Sequence, residues 1–155
     1  MTHDRSPIRT ILLTFIIVSL WVNASEVFRY FLFVMPMIRS QLSIVPDVAP
    51  MNLPVFLIWG IWGSILVVGL ITVTWLWCER FGYSWAQAVL AGTAVWLFVF
   101  VIFWLGLWNM NLTESNTPLV ALPLAWVEMV VGALLTVFSL QRFGASAASV
   151  QAQGS

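Results

Sequence analysis

Lysine does not occur in this chain, and histidine and cysteine occur once each, at His3 and Cys78. A lone cysteine excludes an internal disulfide and any multi-cysteine metal centre. A lone histidine excludes bis-histidine haem ligation and histidine-rich metal sites within one chain. With no lysine and no histidine at membrane depth, a serine or threonine nucleophile has no base beside it. No glycine-rich phosphate loop is present. Charge is scarce: 8% of residues are charged, the net charge is zero, and all six basic residues are arginine. There is no basic patch, so nucleic acid is excluded as a partner. No metal and no cofactor is expected, and enzymatic chemistry ranks last among the functions considered.

What fills the chain is apolar: 61% of its 155 residues are hydrophobic. Soluble domains carry about 45–50% apolar and about 25% charged residues. A water-soluble fold of this size has too little interior to hide that much apolar surface. The lipid bilayer is therefore the expected partner. The apolar residues also fall in runs that reach the roughly 20 residues a helix needs to cross a bilayer core. The pattern predicts an all-α, integral membrane four-helix bundle, a single membrane domain over 1–144 with spans at about 8–35, 54–78, 84–110 and 118–140. Loops 39–53 and 111–117 connect them at one end, and 145–155 reads as a small, polar, disordered tail.

Local chemistry marks the boundaries. Ser6-Pro7 opens the first span, and Pro36 predicts a kink or stop. Pro46, Pro50 and Pro54 mark the first long connection as a loop. Gly82 closes the second span as a helix-ending glycine. Ser84 with Gln87 forms a capping-box pattern at the start of the third. Asn52-Leu53-Pro54 and Asn116-Thr117-Pro118 open spans two and four, while Arg80-Phe81-Gly82 and Arg142-Phe143-Gly144 close them. These matches fit either two copies of a helical hairpin or boundary chemistry that recurs at membrane interfaces.

Arginine sets the orientation. Arg5, Arg9, Arg80 and Arg142 fall on one side, Arg39 on the other, with Arg29 near it. The positive-inside rule puts both termini in the cytoplasm. A bacterial inner membrane is the expected location. A second reading treats Val22-Asn23-Ala24 as the end of a cleaved leader, although the helical pattern runs through the supposed cut.

The residues that carry functional information are polar ones at membrane depth. Ser19, Asn23, Glu26 and Tyr30 are spaced by four, three and four, which keeps them on one helix face. Arg29 lies three residues after Glu26, close enough to pair within the helix. Glu128 sits near the middle of span four. Its face carries Ala121, Ala125, Gly132, Thr136 and Ser139, small residues that admit a close neighbour. A central acid costs about 2.5–3.5 kcal/mol to insert, so it needs a partner, a proton or water. Counting from Ile8 puts Glu26 roughly 27 Å up its helix, near the outer boundary, with Glu128 about two turns deeper. A Glu26–Arg29–Glu128 cluster is compatible with that spacing but not required by it. If formed, it holds two acids and one base, and one acid, Glu128 first, is expected to keep a proton.

Asn23, Glu26, Arg29, Tyr30 and Glu128 are thus the candidate binding residues, against the alternative of a buried network that fixes helix register. Trp75, Trp77, Trp85 and Trp108 fall at the interfaces, and six further tryptophans lie deeper, as packing between helices and lipid. The expected function is binding or movement of a small solute or proton, in a homo-oligomer or a larger membrane complex. The alternative is a non-catalytic accessory or scaffold subunit.

Overall fold

The structure, a computed structural model, describes residues 7–144. The expected tail from Ala145, and His3 and Arg5, lie outside them. The described residues form helices and connecting loops, including four helices long and apolar enough to cross a membrane: Ile8–Gln41, Leu53–Phe81, Trp85–Asn109 and Asn116–Phe143. They are referred to here as spans one to four. Successive spans run in opposite directions, so the Leu42–Asn52 and Met110–Ser115 connections share one end of the bundle, the loop end.

Span four is the axle. Half of its most apolar stretch is buried (50%), against 17% for span one. It packs along spans three and one and also touches span two. The small residues on the Glu128 face make this geometry: Ala121, Ala125, Thr136 and Ser139 have no exposed surface. Span three answers with Gly92, where a Cβ would lie 2.8 Å from both the Met129 carbonyl oxygen and the Val130 Cα. Only a residue without a side chain lets the two backbones come that close. Val18 and Val22 of span one and Val67 and Leu70 of span two complete the core. The helix is unbroken from Pro7 to Arg29. Cleavage after Ala24 would therefore strip Val18 and Val22 from the packed interior.

Pro36 does not end span one. The helix passes through it to Gln41, some two turns beyond the expected boundary near Met35. The ring is accommodated by a π turn over Tyr30–Val34, in which the Met35 amide donates to the Tyr30 carbonyl. Widening the helix one residue early removes the contact that a proline ring otherwise makes with the preceding turn. A second π turn spans Leu97–Val101 and a third Leu140–Gly144.

The caps follow the sequence in part. Asn52 accepts from the Val55 amide at 3.1 Å, and Ser84 accepts from the Gln87 amide at 3.3 Å. Gln87 does not complete the capping box, because its side-chain oxygen accepts from the Trp77 indole at 2.8 Å instead. Gly82 closes span two at φ 95°. The two Asn-x-Pro segments build different starts: Asn52 caps span two, whereas Asn116 already lies inside span four. Their matching ends differ too, a glycine stop in one and a π turn in the other.

Candidate functional site

Arg29, Glu26 and Glu128 meet in the interior. The Arg29 Nε lies 3.4 Å from the Glu128 Oε2, and an Arg29 terminal nitrogen lies 3.7 Å from the Glu26 Oε1. Glu128 has no exposed surface and Arg29 only 6%. Glu128 sits about 18 Å from the start of its span and about 22 Å from its end, close to the middle of the helix. Its Oε1 has no hydrogen-bond partner among the described residues.

The two-turn offset expected between Glu26 and Glu128 is not found: Glu26 lies about one turn farther from the loop end than Glu128, and the register of the helices explains why. The Gln41 amide donates to the Thr117 hydroxyl at 2.7 Å, which ties the end of span one to the start of span four. From that tie, Arg29 is twelve residues down one helix and Glu128 eleven down the other, about 18 and about 16 Å. The acid and the base are level. Counting from Ile8 misplaces them because span one exceeds span four in length, and the excess lies at the opposite end.

Three further groups frame the centre. The Arg29 guanidinium lies 5.1 Å from the centroid of Phe100, inside the second π turn. An aromatic face attracts a desolvated cation. The Trp21 indole donates to the Glu128 backbone carbonyl at 3.0 Å, fixing span one to span four at the residue that carries the ion pair. Gly63 of span two faces the cluster's edge, where a Cβ would lie 3.6 Å from the Asn23 Oδ1 and 3.8 Å from the Glu26 Oε2.

The other candidates fall at the margin. Asn23 is exposed and bonds back to the Ser19 carbonyl at 2.8 Å. Tyr30 packs edge-on against Trp59 at 4.2 Å and does not reach the ion pairs. Phe100, Trp21 and Gly63 are not legible as site residues in the sequence, since nothing in one helix's periodicity says which neighbour it faces. The deep indoles behave alike: Trp96 donates to the Leu122 carbonyl at 2.8 Å and Trp126 to the Thr93 hydroxyl at 3.1 Å, both across the span three–span four seam. They lock helices together as well as filling space.

At the terminus end, Glu79 accepts from the Trp75 indole and the Tyr83 hydroxyl at 3.2 and 2.7 Å. Partial burial and the bond to Glu79 push the Tyr83 hydroxyl above the ordinary tyrosine range. Among the described residues, no group of three histidine, cysteine or acidic side chains is placed to hold a metal ion. The principal cavities are lined by residues other than Glu26, Arg29 and Glu128. No known protein family, no curated protein and no solved structure matches the chain.

Proposed function

We propose that this is a multi-pass membrane protein that binds or moves a proton, or a small solute coupled to one, through the Glu26–Arg29–Glu128 centre. The observation that carries this reading is Glu128: wholly buried at mid-span, with one carboxyl oxygen on Arg29 and the other unpartnered. Two acids and one base leave one negative charge uncompensated in a medium of low dielectric. A proton or a small cation neutralises it. Asn23 and Glu26, at the partly exposed edge beside Gly63, form the side from which the centre is reached.

The test is proton flux into vesicles that contain the purified protein and a trapped pH dye, driven by a potassium diffusion potential. The parent protein is expected to carry protons at least about tenfold faster than empty vesicles, a difference of about 1.4 kcal/mol in barrier. Glu128→Gln removes the exchangeable proton and should bring the rate to that of empty vesicles, with helix content unchanged. Undiminished flux in that variant refutes the assignment.

A second reading is favoured by one observation: Arg29 and Glu128 are both sealed from the surface. A closed ion pair is what a register-fixing network in a scaffold subunit would need. In that case Glu128→Gln leaves flux at the background level of the parent, and the protein purifies in mild detergent with a stoichiometric partner.

A further inference from the structure

The loop end carries a second polar feature, separate from the buried centre. The Leu42–Asn52 connection folds back so that Asp47 and Ala49 both take left-handed backbone conformations, φ 56° and 51°. Aspartate visits that region readily, but alanine does so rarely. Arg39 holds the turn by donating to the Ala49 carbonyl at 2.8 Å. The result is an open cleft of about 590 Å³ whose polar lining is Arg39, Ser43, Asp47 and Asn52. Arg39 and Asp47 are exposed and take part in no ion pair among the described residues; both ion pairs there belong to Arg29.

Pro50 and Met51 form part of this cleft and also of an apolar one of about 270 Å³, lined by Tyr30, Phe31, Val55 and Trp59. The two clefts adjoin at these shared residues. Arg39 is nine residues beyond Tyr30, about 13 Å along the helix. That distance takes a group from the upper hydrocarbon into the headgroup layer. One cleft therefore offers a cation and an anion at headgroup level, and the other offers aromatic and aliphatic walls at acyl level.

We infer that this pair of clefts binds a zwitterionic phospholipid with a primary ammonium headgroup, drawn from the leaflet at the loop end. Arg39 takes the phosphate, Asp47 takes the ammonium, and an acyl chain lies along Tyr30 and Trp59. An ethanolamine headgroup supplies an anion and a three-donor cation separated by two carbons. It satisfies both side chains at once, whereas a glycerol headgroup leaves Asp47 uncompensated and a choline headgroup offers it no hydrogen-bond donor. The inference does not depend on the role given to Glu128.

Native mass spectrometry of the full chain in detergent, with dioleoyl phosphatidylethanolamine, phosphatidylglycerol or phosphatidylcholine added, tests it. The parent should retain phosphatidylethanolamine at least about tenfold better than phosphatidylglycerol, the factor that about 1.4 kcal/mol gives. Asp47→Asn should abolish that preference, and Glu128→Gln should keep it. Arg39→Gln should weaken all three lipids; because Arg39 also pins Ala49, the Asp47 variant carries the decision. Equal retention of the lipids by the parent, or an unchanged preference in Asp47→Asn, overturns the proposal. So does displacement of the lipid by an equal concentration of free phosphoethanolamine, which would make the ligand a soluble one.

Discussion

At the scale of single residues, Arg29 is the side chain on which most depends. It pairs with Glu128 and Glu26, lies against Phe100, and is itself almost without exposed surface. Removing one partner of a buried pair is costlier than removing both, because the survivor keeps its charge without compensation. Arg29→Gln is therefore expected to lower unfolding stability by about 3–5 kcal/mol. Adding Glu128→Gln should restore at least about 1 kcal/mol, since contacting residues do not act independently. Unfolding in mixed micelles, with helix content as the readout, measures both. An Arg29→Gln variant as stable as the parent would mean that the pair contributes nothing. The sequence shows the ionisable members of this site because charge stands out in an apolar span. It hides their pairing, which depends on the Gln41–Thr117 tie between two helices. It also hides Phe100, one aromatic among many, whose place under Arg29 follows from a local widening of span three.

At the scale of elements, the close seam between spans three and four rests on Gly92. A Cβ there meets backbone, which cannot rotate away, so the helices must separate and the Trp96 and Trp126 hydrogen bonds lengthen. Gly92→Ala is expected to destabilise by roughly 1–3 kcal/mol, the usual cost of overpacking. Gly60 is the control: a Cβ at that position meets nothing within 4 Å. Gly60→Ala should stay within about 0.5 kcal/mol of the parent. Equal effects of the two substitutions would show that close approach at Gly92 does not matter. The contrast marks what one sequence conveys. Span boundaries are legible, because apolar runs end in proline, glycine and charge at Asn52–Pro54, Glu79–Gly82 and Thr117–Pro118. Pro36 misleads because a π turn absorbs its ring, and periodicity has no term for an extra residue in a turn. Likewise, Gly60 and Gly92 look alike in sequence, and only the neighbouring helix separates them.

For the whole molecule, the open question is direction across the membrane, and the structure sharpens the charge count behind it. Arg29, read from sequence as near the loop end, lies inside the bundle in two ion pairs. It drops out of the comparison between flanks. Arg39 remains at the loop end, against Arg9, Arg80 and Arg142 at the other. Arginines close to span ends resist translocation, and acidic residues contribute little to the balance. The loop end should therefore face outward and the terminus end the cytoplasm. Single cysteines provide the measurement, because the native Cys78 is buried at 1% exposure and serves as an unlabelled background. Ser43→Cys lies in the exposed loop, and Ala86→Cys on the exposed first turn of span three, at the opposite end. A membrane-impermeant maleimide applied to intact bacterial cells expressing each variant should label position 43 at once. It should reach position 86 only after the membrane is opened. The reverse pattern would turn the protein over and place the Arg39–Asp47 cleft in the cytoplasmic leaflet. Labelling of both positions in intact cells would put the two ends on one side, incompatible with a span two that crosses.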